Sequence, residues 1–203
     1  MKSRIVSCLF SAVAICTLAA PVFGTPRTVI LHVEPAALAW GESQLAEKVT
    51  RQLSRSADLR LISNDDDADG LPPFPSATYD VDSLLDWGRE VGGQFLLVIK
   101  VENERLETKK TFSIPLIVHK WEKVGVIEGE VRLLDLGRGR LLWAEPFREE
   151  IRGKQIIQAD PDHNSDDPDL HLPAPSKRDL FSRLEDKLAD HLARKTMSLA
   201  RVR

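Results

Sequence analysis

The residues with the chemistry to do more than fold are concentrated in two acidic stretches. Asp65, Asp67, Asp69 and Gly70 have the spacing that opens an EF-hand-type calcium loop, where alternate carboxylates converge on the ion and glycine makes the turn. The twelfth position of that loop is Ser76 rather than a glutamate, and Pro72, Pro73, Phe74 and Pro75 stand where the exiting helix would begin. Asp160, Asp162, His163, Asp166, Asp167, Asp169 and His171 form a second cluster that could hold a divalent ion. The simpler reading of both is solvated loop. No metal or cofactor is therefore expected, and metal-dependent binding stands as an alternative.

Catalytic arrangements are harder to find. There is no GxSxG elbow, HExxH helix, Walker A loop or GxGxxG opening a helix. None of His32, His119, His163, His171 and His191 lies four residues from another, as a helical metal pair requires. Glu149 and Glu150 are adjacent, so on a strand they face opposite ways and do not form an acid/base pair. No catalytic residue is expected and the chain is read as not an enzyme. Triads are assembled in space, so an exported hydrolase without a local signature is the other alternative.

The elements that would position these residues follow from periodicity. TVILHVEP is a strand ended by Pro35, and Leu45, Val49 and Leu53 recur at helical spacing after it. DLRLIS is a second strand, and Asp82 is the expected cap of a helix carrying Leu84, Leu85, Gly88 and Val91, closed by Gly92-Gly93. The period then changes to two. Phe95, Leu97, Ile99 and Val101 share one face, Leu96 and Val98 the other, as in a central strand. Ile127, Val131 and Leu133 alternate, DLGRGR turns, and Leu141, Trp143, Phe147 and Ile151 are expected on one face of the next strand. Ser176 and Asp179 resemble a capping box before a last helix carrying Leu180, Leu184, Leu188 and Leu192. The class is α/β (α+β): one domain, a mixed sheet with an antiparallel meander of three or four strands, and helices on one face. The core domain spans 25–157, an acidic proline-rich loop 158–176, and the C-terminal helix 177–203.

The compartment is written at the start. Lys2 and Arg4, the uncharged run IVSCLFSAVAICTLAA and the small residues ending at Gly24 have the form of a secretory signal peptide, with cleavage expected after Gly24. The protein is expected in the periplasm or secreted. Lipidation at Cys16 and a retained membrane anchor are the lesser alternatives. Cys8 and Cys16 are the chain's two cysteines, so the mature protein would have no thiol chemistry. Of 203 residues, 28 are basic and 31 acidic, a net −3 that argues against a nucleic-acid binder. Without residues 1–24 the balance is 26 basic to 31 acidic. Nine of those acids sit in the two loops, which leaves 26 against 22 in a mildly basic body. Such a body can meet an anionic surface.

LLDWGREVGG running into QFLLVIKVE, and GVIEGEVRLLDLGRGRLLWAE with its alternating strand, aspartate, glycine turn and apolar strand, resemble a group of bacterial envelope domains. The group includes the amino-terminal domain of the Tol-system propeller protein, the lipoprotein activators of penicillin-binding proteins and the periplasmic domain of the curli secretion channel. The likeness covers 28–156 in element order, and in residues mainly 84–101 and 125–145. It implies a βαβ-containing domain, mostly non-enzymatic, that docks onto other envelope components.

One segment stands apart from that pattern. In FSIPLIVHKW, Phe112, Ile114, Leu116 and Val118 alternate on one face, while Ile117 and Trp121 point the other way. They are strand core, or an edge hairpin apolar on both faces, since Pro115 cannot donate to a central ladder. These six residues are the expected partner-binding set. The partners are envelope proteins, with peripheral contact to membrane or cell wall as a further route.

Overall fold

The computed structural model describes residues 26–36, 43–63, 71–75, 80–114, 118–158 and 171–201. Residues 1–24, expected as a signal peptide, and the aspartates of both acidic loops lie outside the described residues. The element order is β1 (Arg27–Glu34), α1 (Leu45–Leu53), β2 (Leu59–Ser63), α2 (Val81–Glu90), β3 (Phe95–Ile114), β4 (Val118–Asp135), β5 (Arg140–Gln158) and α3 (Ala174–Arg201). The strands form one sheet in the order β2-β1-β3-β4-β5. β1 is parallel to both neighbours, and β3, β4 and β5 form an antiparallel meander. This is the expected α+β class with a mixed sheet, and the meander has three strands.

The helices divide between the two faces, where one face was expected for all. Val29 and Leu31 of β1 and Phe95, Leu97, Ile99 and Val101 of β3 pack under α1 and α3. The alternate residues Ile30, Leu96 and Val98 pack with Leu84, Leu85 and Trp87 of α2 on the opposite side. Successive strand side chains point to opposite faces, so the doubly apolar start of β3 needs a cover on each. Leu180, Leu184, Leu188 and Leu192 form the buried stripe of α3, each at 1% exposure or less. Burying side chains of this size contributes about 1.5–3 kcal/mol each.

Local chemistry sets the ends of α2 and α3 differently from the sequence pattern. Asp80, not Asp82, caps α2, its carboxylate accepting from the Ser83 amide at 3.4 Å and the Ser83 hydroxyl at 2.9 Å. Gly92 then takes φ +82°, a left-handed position open to glycine, and ends the helix. α3 starts at Ala174, and the Lys177 amide already donates to Pro173 O at 3.0 Å. Ser176 therefore lies within the first turn rather than at a cap.

Two bulges in β3 re-aim its far half. An extra residue between Val101 and Asn103 reverses the alternation, so Glu104 faces α1 and α3 while Arg105 and Glu107 face away. Opposite the bulge, Gly129 lies so close to Lys100 that a Cβ would overlap its carbonyl oxygen and stand 2.7 Å from Phe147 Cζ. Gly129→Ala is expected to cost about 1–3 kcal/mol through overpacking against backbone. A denaturant midpoint equal to wild type would contradict this register. In β5, a shift beside Leu142 puts Leu141 opposite Leu134, away from the face of Trp143, Phe147 and Ile151 that it was expected to share.

The proline-rich stretch 71–75, expected as open loop, contacts the α2 side of the sheet. Trp87 Nε1 donates to Pro72 O at 3.1 Å, Phe74 meets Trp87 edge-on at 5.0 Å, and His32 stacks on Phe74 at 3.4 Å. Burial lowers the pKa of His32, outweighing the nearby Glu34 carboxylate.

Candidate functional site

β1 pairs with β3 only through Lys100, whereas β3 continues to Ile114, β4 begins at Val118 and β5 runs to Gln158. The far part of the sheet is therefore a three-stranded blade. At the usual rise it continues for about 40 Å past the last β1 pairing. β3 and β5 are its edges and β4 is its centre. The first arm of the expected edge hairpin is thus an edge, and the second is a central strand.

The six expected partner-binding residues fall into three groups. Phe112 is 53% exposed. Trp121 is 8% exposed, on the α3 side of the sheet, with the Lys110 ammonium 5.5 Å from its ring centroid. Ile114 and Val118 pair with each other across the end of the hairpin, and Leu116 and Ile117 lie outside the described residues. Phe112 and Trp121 point to opposite sides, as the alternation has it. A residue missed by the sequence reading completes the exposed group: Phe112, Lys120 and Ile157 lie in one row across β3, β4 and β5, and Ile157 is 69% exposed. Pairing of β5 against β4 creates this row, and no periodicity within β5 signals it.

Below that row, the same face carries a lattice of charges. Arg105 engages Glu107 and Glu128, Arg148 engages Glu107, Glu128 and Glu150, and Lys109 reaches Glu150 at 2.9 Å. Side-chain hydrogen bonding from Arg105 holds the Glu128 carboxyl below its usual range, and bonding from Lys109 and Arg148 brings Glu150 to about 2. Val124 and Val126 lie buried in the rows of Arg105, Glu107, Glu150 and Arg152. The aliphatic stems of these charged side chains give apolar strand positions a cover where α2 does not reach. Glu149 and Glu150 take opposite faces, as expected, and each meets cations. Burial raises the pKa of Glu149, but Lys187 at 2.7 Å and His191 at 3.2 Å more than offset it, leaving it lowered.

Beneath α1 and α3 lies a buried ionic cluster that no sequence motif marked. Lys48 of α1 and Glu185 of α3, with side chains 4% and 5% exposed, pair at 3.2 Å. The Lys48 ammonium also donates to Ser182 Oγ at 2.8 Å and reaches Asp186 at 3.4 Å. Glu185 Oε1 accepts from the Gln44 amide at 3.0 Å and the Ser43 hydroxyl at 2.7 Å. It thereby serves the start of α1, whose own N-cap residue makes no side-chain cap. Glu104, brought inward by the bulge, joins them at 9% exposure with Oε1 lacking a hydrogen-bond partner among the described residues. Burial pushes its carboxyl up to about 7, the Glu185 charge adding to the shift and Lys48 reducing it.

No protein-family model and no curated protein matches the chain. Solved structures similar to it include a Xanthomonas campestris protein of the DUF330 family, 9% identical, over 89% of this chain and 90% of that one, with a TM-score of 0.49. Rare lipoprotein B from Shewanella oneidensis is 15% identical over 85% of this chain and 95% of that one, with a TM-score of 0.41. TolB from Acinetobacter baumannii is 12% identical over 61% of this chain and 23% of that one, with a TM-score of 0.34. The envelope-domain group anticipated from residues 84–101 and 125–145 is thus represented among the structures this chain is similar to.

Among the described residues, no helix is long and apolar enough to cross a membrane, and no group of three or more His, Cys, Asp or Glu could hold a metal. A shallow groove runs between Gly153–Lys154 of β5 and the first turns of α3, lined by Leu172, Pro175, Ser176 and Leu180. Its Arg183 is engaged by Asp179 at 3.2 Å.

Proposed function

We propose that the chain is an exported, non-enzymatic accessory protein of the bacterial envelope, acting by protein–protein contact in assembly or maintenance. Residues 1–24 are its cleaved signal peptide, and the mature chain works in the periplasm. The end of the blade, with Phe112, Ile114, Leu116, Ile117, Val118 and Trp121, is proposed as a docking element. The observation that carries this reading is the row Phe112–Lys120–Ile157, which leaves two large apolar side chains in water at the far end of the sheet. Burying either against a partner would contribute about 1.5–3 kcal/mol. Trp121 supports the element from behind, so the docking residues to test are Phe112 and Ile157.

The test is fractionation with exact mass. The chain recovered from the envelope is expected to begin at Thr25, and Phe112→Ser/Ile157→Ser is expected to shift it into the soluble fraction with its melting temperature unchanged. A chain that keeps residues 1–24, or a double variant that stays with the envelope, would contradict the proposal.

A further inference from the structure

Charge at the end of the blade is one-sided. The strand ends 109–114, 118–123 and 152–158 carry Lys109, Lys110, Lys120, Lys123, Arg152 and Lys154 against the single acid Glu122. Three of the six cations are already used within the fold: Lys109 pairs with Glu107 and Glu150, Lys123 is buried and donates to Thr108 Oγ1 at 2.6 Å, and Arg152 pairs with Glu122. Glu122 is itself buried and faces Arg152 at 3.7 Å. Lys110, Arg152 and Lys154 are exposed and Lys120 is half-exposed, set around Phe112 and Ile157 on both sides of the blade. The remainder of the uncovered face is the charge lattice, in which acids and bases are matched. The excess of positive charge is therefore local to the apolar end.

Apolar side chains at a tip, ringed by lysines in excess over acids, have the pattern of a peripheral membrane contact. The apolar groups enter the headgroup boundary, and the cations meet anionic lipid within a Debye length of the surface. A protein recess would also accept Phe112 and Ile157. The cations on both sides of a narrow blade are better matched to a planar anionic surface met end-on than to a recess that meets one side. We infer that the end of the blade docks on an anionic phospholipid surface through Phe112 and Ile157, with Lys110, Lys120 and Lys154 facing the headgroups. This rests on the proposed reading of the blade end as a docking element. Each basic residue near such a surface is worth about 1 kcal/mol, so reversing two charges is expected to weaken binding by at least about tenfold.

The test is flotation with phosphatidylcholine vesicles, with and without phosphatidylglycerol, for wild type, Phe112→Ser/Ile157→Ser and Lys120→Glu/Lys154→Glu. The difference between variant and wild type is the readout, because residues 1–24 would add binding of their own wherever they are retained. Wild type is expected to bind the phosphatidylglycerol vesicles preferentially and to lose binding as salt rises. Each double variant should lose binding to the phosphatidylglycerol vesicles by at least about tenfold at an unchanged melting temperature, Lys120→Glu/Lys154→Glu losing the preference as well. Equal binding to both vesicle types, or variants indistinguishable from wild type, overturns the inference. If that happens while Phe112→Ser/Ile157→Ser still releases the chain from the envelope fraction, the docking element stands and its counterpart is a protein. If the envelope fraction is also unaffected, both readings fall.

Discussion

Lys48→Met is expected to destabilise the fold by about 3–5 kcal/mol, the cost of leaving a buried charge without its counter-ion. Lys48 is the cation between two buried carboxylates, Glu185 at 3.2 Å and Glu104, whose charge it offsets. Methionine keeps the length and apolar stem but removes the charge and the hydrogen bond to Ser182. Glu185 is then left without its counter-ion beneath the helices while still holding the start of α1. The loss should be read as a lower urea midpoint with an unchanged slope. Lys48→Met/Glu185→Gln is expected to recover much of it, since glutamine can still accept from the Gln44 amide without bringing a charge. A single variant within about 1 kcal/mol of wild type would show that solvent reaches this pair, because exposed ion pairs are worth no more than that.

Glu104→Gln is expected to work in the opposite direction and to depend on pH. The carboxyl titrates at about 7 in the fold against an ordinary value of 4.5, chiefly because it is buried. The folded state therefore binds more protons than the unfolded state between those two values. Stability that is fully present below about 4.5 is lost as pH rises through about 7, and the shift corresponds to about 3 kcal/mol. Glutamine cannot ionise, so the variant should be more stable than wild type by about 2 kcal/mol at pH 8. Near pH 5 the two should be nearly equal. Urea midpoints across this range give wild type a falling line and the variant a flatter one. Parallel lines would mean that Glu104 is ionised and hydrated in the fold.

Much of the architecture was legible because its signals are local. The spacing of Leu45, Val49 and Leu53, the stripe from Leu180 to Leu192 and the alternation Ile127, Val131, Leu133 each mark the buried face of a helix or strand, and each lies in the core. The division of helices between faces was present in Leu96 and Val98, which require a cover of their own and receive α2. Other features had no local signal. A one-residue bulge between Val101 and Asn103 reverses the alternation as far as Lys110, and it alone turns Glu104 inward. Lys48 and Glu185 meet through tertiary packing of α1 on α3, and nothing in either helix names the other. At the blade end, the alternation placed Phe112 and Trp121 on opposite sides, but which side is buried depends on where the helical layer stops. Ile157 entered the candidate site only through its pairing with Lys120.

The central claim is that this protein acts by contact through the end of its blade. A photo-reactive residue at Phe112 in intact cells tests it most directly, compared with one at Arg194, an exposed position on α3. The account predicts adducts with an envelope component from position 112 and none from position 194. Equal labelling from both positions, or none from position 112, would contradict it.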